Sequence, residues 1–259
     1  VGGGEGRLQR WNDALNPMLV MELRQLWNSR QFVIMFFVLL ATAWAVCGLA
    51  LSAPVTILQF VPFGYSPTGQ ISGSALFFVL YGSLVIALNF AVPLRAIDSL
   101  AHEFSRDTMD MIVLTRIPSD RVAVGKFWCA VMHMTLYFAA LTPFIAVTYL
   151  LTGIDLLTIA VLLVSAFAIS SGLSSLALML GSYCRTSTIR PVLKIVLLAT
   201  SAVVTWGWLV LVYEMLQYGG MGFGSLAGGT ICLFIPWLSA TAAFLGTAVS
   251  RVRPKSPTV

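Results

Sequence analysis

The chain has 259 residues, 58% of them hydrophobic and only 10% charged, with a mean hydropathy of +0.91. A water-soluble fold of this composition would lack the polar residues to clothe its surface, so the expected solvent is lipid. The net charge of +5 would suit nucleic acid only if the basic residues gathered on one element; they lie in short groups between long apolar runs, so no nucleic-acid partner is expected.

Residues 1–30 read as a cytoplasmic N-terminus. Within WNDALNPMLVMELRQLWNSR, Asn16 suits a helix cap and Pro17 the first turn. Leu19, Leu23, Leu26 and Trp27 then recur at helical spacing, while Glu22, Arg24 and Arg30 fall on other faces. This predicts an amphipathic helix lying in the membrane interface, with an ordinary soluble amphipathic helix as the alternative.

A membrane-spanning helix needs roughly 20 apolar residues. No charge occurs between Arg30 and Arg95, but Pro54, Pro62, Gly64, Pro67, Gly69 and Gly73 interrupt that run. It therefore divides into helices near 32–53 and 74–94. The first run is too long for the apolar core of a signal peptide and is expected to stay in the mature protein. Further spans fit 127–151, 156–183, 193–216 and, beyond the glycines at 219, 220, 222 and 224, 226–250. The expectation is one all-α, polytopic membrane domain over 31–250 with six transmembrane helices, followed by a cytoplasmic tail at 251–259.

The cations test this map. Arg7, Arg10, Arg24 and Arg30 precede helix one; Arg95, Arg106, Arg116, Arg121 and Lys126 lie between helices two and three. Arg185, Arg190 and Lys194 lie between helices four and five, and Arg251, Arg253 and Lys255 follow helix six. All 15 lysines and arginines fall on one side, which the positive-inside rule makes cytoplasmic, with both termini there. A miscounted span would scatter them over both faces. The expected location is the plasma (inner) membrane.

Residues 95–126 form the one long cytoplasmic loop, and its cations are interspersed with Asp98, Glu103, Asp107, Asp110 and Asp120. Leu100, Phe104, Met111, Ile112 and Leu114 punctuate the charges, and Pro118, Ser119 and Asp120 mark a turn before helix three. Such a mixed-charge amphipathic element suits docking of a soluble partner.

NPMLVMELRQLWNSR before the first span, and LAHEFSRDTMDMIVLTRIPSDRVAVGKFW between spans two and three, resemble the permease subunits of type 2 ATP-binding-cassette (ABC-2) transporters. Glu103, Thr108, Ile112, Pro118, Ser119, Gly125 and Lys126 match a motif that in this family leads through a coupling helix into the third span; Asp107 stands where the family usually has glycine. The resemblance implies an N-terminal elbow helix carrying Glu22, Arg24 and Trp27, and a cytoplasmic coupling helix between helices two and three. It implies contact of Glu103, Arg106, Asp107, Thr108, Asp110 and Arg116 with a cytoplasmic ABC ATPase. It further implies a second permease subunit, the same or different, and an exporter whose ATP and Mg are bound by the ATPase, with no cofactor in this chain.

The residues themselves point to an engine elsewhere. No Asp, Glu, Lys or Arg falls at mid-membrane depth, where ion-coupled transporters carry them. Asp155 and Glu214 fall at the extracytoplasmic ends of their helices. Gly125-Lys126 is followed by Phe127 and lacks the first glycine of a phosphate-binding loop. His133 is the one titratable side chain well inside a span; packing is the ordinary reading of such a histidine, a substrate or proton role the alternative. Ser165, Ser170, Ser171, Gly172, Ser174, Ser175, Gly181 and Ser182 make helix four a close-packing surface. Asn89, Thr135 and Thr142 are polar points within spans, and Pro143 is placed to kink helix three. Cys47, Cys129, Cys184 and Cys232 lack metal-ligand spacing and read as packing residues. The chain is expected not to be an enzyme: an intramembrane serine protease would need a nucleophile and base in a recognisable string, and none occurs. A non-transporting membrane anchor or assembly subunit remains the other alternative.

Overall fold

The computed structural model describes residues 30–52, 73–105, 119–152, 155–183, 189–217, 239–247 and 250. All the regular structure among them is helical: α1 (Arg30–Ser52), α2 (Gly73–Ser105), α3 (Ser119–Thr152), α4 (Leu156–Ser182), α5 (Ile189–Gln217) and α6, described over 239–247. The helical form follows from the solvent, since in hydrocarbon a helix satisfies its own backbone polar groups. Helices α2 to α5 are each long and apolar enough to cross a membrane; the apolar part of α1, Phe32–Gly48, is shorter. This is a helical, membrane-embedded protein. The elbow region lies outside the described residues, as do Cys184 and Cys232, whereas Cys129 is buried and Cys47 half-buried.

Helix α2 is the axis. It packs against α1, α3, α4 and α5, and 67% of its apolar span is buried, against 28% for α5. Phe77, Leu80, Tyr81, Leu84 and Leu88, at the three- and four-residue spacing of one helix stripe, are fully buried with Met134, Tyr137 and Leu141 of α3. Outward side chains are as apolar as inward ones: Val203 and Trp206 of α5 are each 73% exposed, an arrangement that lipid, not water, accommodates.

Close approach of α4 to α2 comes from the small residues of α4. A Cβ on Gly181 would stand 3.2 Å from both Cβ and Cδ2 of Leu100. The Ser170 hydroxyl donates across the interface to the Leu88 carbonyl at 3.0 Å. Ser165, Ser174, Ser175 and Ser182 are buried and donate to carbonyls of their own helix three or four residues back, which removes the cost of placing hydroxyls in an apolar interface. A second tie joins three helices. Tyr81 of α2 donates its hydroxyl to the Leu162 carbonyl of α4 at 3.0 Å and accepts from Trp208 Nε1 of α5 at 2.8 Å.

Helices α2 and α3 overrun the spans expected at 74–94 and 127–151. Helix α2 continues to Ser105, passing through Pro93, and α3 begins at Ser119 and passes through Pro143. Once Arg95 and Lys126 reach the polar headgroups, no apolar solvent limits the helix, so the backbone ladder continues beyond the apolar stretch. Of the loop read over 95–126, only 106–118 is left between the two helices.

Candidate functional site

The basic ends of the helices meet on one face. Lys126, near the start of α3, donates from Nζ to Ser99 Oγ near the end of α2 at 3.1 Å. Lys194 of α5 forms an ion pair with Asp98 of α2 at 2.5 Å. The Gly181–Leu100 contact brings the end of α4 to the same level, and Phe32 at the start of α1 meets His133 of α3, ring centroids 5.0 Å apart. Arg30, Arg95, Lys126, Arg190 and Lys194 therefore share one end of the bundle. Asp155, before α4, and Glu214, in the last turn of α5, belong to the other.

Their partners explain how cations are held there. Lys126 is only 3% exposed, with its ammonium on a serine hydroxyl, while Lys194 and Asp98 stay partly in solvent, where an ion pair adds little stability. With Arg95 and Lys126 as the edge of the hydrocarbon, residues 95–105 of α2 carry the chain about 16 Å beyond it and residues 119–126 of α3 about 12 Å, at 1.5 Å per residue. The segment 106–118 thus joins two helix ends that run beyond the apolar layer.

Deeper in the same end lies an aromatic and polar group. His133 and Tyr137, one turn apart on α3, have ring centroids 4.8 Å apart, and Phe32 of α1 lies 5.0 Å from His133 and 5.9 Å from Tyr137. His133 and Tyr137 are both buried, and the Ser99–Lys126 bond sets a register in which Arg95 of α2 lies close to the level of His133. His133 Nε2 and the Tyr137 hydroxyl have no hydrogen-bond partner among the described residues. Near the middle of the bundle Asn89 Nδ2 donates to Thr205 Oγ1 at 3.0 Å, leaving Asn89 Oδ1 buried and likewise without one. Pro93 has no N–H to offer the Asn89 carbonyl, so this turn of α2 is locally polar. The described residues contain no group of three or more His, Cys, Asp or Glu able to hold a metal ion.

Of the residues singled out from sequence, Glu103 lies on the last turns of α2, with its side chain outside the described part. Arg106, Asp107, Thr108, Asp110 and Arg116, and Glu22, Arg24 and Trp27 of the elbow, lie outside the described residues. Sequence reading counted Arg95, Lys126 and Lys194 as topology markers and Asp98 as an acid of the mixed-charge loop, and missed the Lys126–Ser99 and Lys194–Asp98 pairings. Each is the first or second charge at the border of an apolar run, a signal that finds such residues but not what they touch. Comparison with protein-family models and with curated proteins finds no match for this chain.

Proposed function

We propose that this chain is the membrane-spanning permease subunit of an ABC-2 transporter, with six spans, both termini in the cytoplasm, and ATP hydrolysed by a separate subunit. The observation that carries this reading is the emergence of the mixed-charge segment 106–118 from two helices that overrun the apolar layer on the basic face. A charged segment borne on stiff supports can pass a push from a soluble partner into the bundle, because α2, one of its supports, packs against the other four long helices. The resemblance of LAHEFSRDTMDMIVLTRIPSDRVAVGKFW to the coupling region of that family supplies the identity of the partner: a cytoplasmic ABC ATPase, met by Glu103, Arg106, Asp107, Thr108, Asp110 and Arg116. A dimer of permease subunits and an elbow helix carrying Glu22, Arg24 and Trp27 complete the assembly, and export is the direction the resemblance favours.

The test is affinity purification of the tagged chain from its native membrane, followed by assay of ATP hydrolysis in the purified material. A Walker-type ATPase should co-purify, and Glu103→Lys should reduce its recovery or its turnover while membrane insertion is unchanged. Recovery of the chain with no ATPase, or wild-type binding and turnover in Glu103→Lys, counts against the reading. Orientation is checked separately: a cysteine replacing Asp110 in a cysteine-free background should resist a membrane-impermeant maleimide in intact cells and react after lysis.

A further inference from the structure

Within a hydrocarbon layer a buried polar atom without a partner is costly, and native structures fill such positions with water, an ion or a ligand. Among the described residues, His133 Nε2 and the Tyr137 hydroxyl are two such atoms on one face of α3; the two side chains are 2% and 0% exposed. They lie about 10 and 16 Å from Lys126 along the helix, inside the leaflet at the basic end.

What could occupy the position follows from its charge and donors. Counted from the Ser99–Lys126 bond, Arg95 lies about 6 Å and His133 about 10 Å further into the bundle, so the Arg95 charge stands close to the level of His133 and disfavours a cation there. Asp98, the nearest described carboxylate along α2, is taken up by Lys194. A tyrosine hydroxyl donates, and an imidazole can present an N–H at Nε2, so both groups can point a proton at an oxygen acceptor. Phe32 closes the α1 side with an apolar ring, which suits a guest that carries an apolar portion beside its charge.

We propose that His133, Tyr137 and Arg95 form an intramembrane site for an oxyanion of the phosphate class, entered from the basic end of the bundle. The guest is either a free phosphate or the charged head of an amphiphile; the chemistry at the three side chains is the same. This inference does not depend on the ATP-driven reading, since it concerns only what the bundle binds.

The chain has two histidines, so ¹⁵N-histidine labelling of the full-length protein in dodecyl maltoside gives two imidazole spectra, assigned with His102→Gln. Dodecyl phosphate, inorganic phosphate and, as a neutral control, decyl glucoside are titrated in turn. The expected result is a saturable shift of the His133 Nε2 signal with dodecyl phosphate, weakened at least tenfold in Tyr137→Phe and in Arg95→Gln. A response to dodecyl phosphate alone identifies an amphiphile head, and a response to inorganic phosphate as well identifies a site for the free anion. No saturable shift with either phosphate, the same shift with decyl glucoside, or undiminished affinity in Tyr137→Phe overturns the proposal and leaves trapped water as the occupant. Should Arg95→Gln lose its cooperative thermal transition, Tyr137→Phe, which removes one oxygen and keeps the ring, decides the matter by itself.

Discussion

Replacing Gly181 by alanine probes the packing of α4 on α2 at its tightest point. The new methyl would meet Leu100 Cβ and Cδ2 at 3.2 Å and the Ile97 carbonyl oxygen at 3.5 Å. Cδ2 can swing aside, but Cβ is fixed to the backbone of the most buried helix, so α4 must retreat by a few tenths of an ångström or the contact stays compressed. Overpacking of this kind costs about 1–3 kcal/mol. Against it stands the helix preference for alanine, at most about 1 kcal/mol and smaller here because Gly181 lies in the last turn of α4. Gly207 of α5 supplies the reference: a Cβ there meets nothing within 4 Å, so Gly207→Ala should be neutral or stabilising. Gly82, whose Cβ would sit 3.7 Å from Leu209 Cδ2, should fall between them. Unfolding in mixed detergent micelles, followed by circular dichroism, should rank Gly181→Ala about 1–3 kcal/mol less stable than Gly207→Ala. Adding Leu100→Ala should recover part of the loss as a favourable coupling in the double-mutant cycle, although Leu100→Ala by itself opens a cavity. Equal stability of Gly181→Ala and Gly207→Ala would show that α4 does not approach α2 at Leu100 as described.

Two further outcomes follow from the buried polar ties. Tyr81→Phe removes both the donor to the Leu162 carbonyl and the acceptor for Trp208 Nε1, stranding the indole N–H; the expected loss is about 1–3 kcal/mol, and Trp208 emission should shift as its hydrogen bond disappears, both readable in one unfolding experiment. Asn89→Leu and Thr205→Val should show a coupling energy of about 0.6 kcal/mol, and no more than roughly 1.7, the range for hydrogen bonds between membrane helices; a coupling indistinguishable from zero would mean that the two side chains do not meet.

Much of the architecture was legible before any coordinates. Apolar runs separated by Pro54, Pro62 and Pro67, or by Asp155, located α1 to α5, because the cost of placing a residue in hydrocarbon accumulates along the chain without reference to what it packs against. The serines and glycines of helix four announced a close-packing face for a similar reason: small size permits approach whichever helix approaches. The helix ends were less legible. Apolar content ends at Leu94 and begins at Phe127, but the backbone ladder runs on to Ser105 and starts at Ser119, since a helix need not stop where lipid does.

The sequence alone therefore determined the solvent, the positions of the long helices and the gathering of the described lysines and arginines of α1, α2, α3 and α5 at one end, all properties that add up residue by residue. Only the tertiary structure decided that α2 is the axis and α5 lies at the periphery, although their spans are equally hydropathic, because an apolar side chain is content against lipid or protein and carries no mark of which it will meet. The same holds for Tyr81 with Trp208, Asn89 with Thr205, and Phe32 with His133 and Tyr137. These pairs come from different helices, and nothing in local spacing records a neighbour that only packing brings into reach.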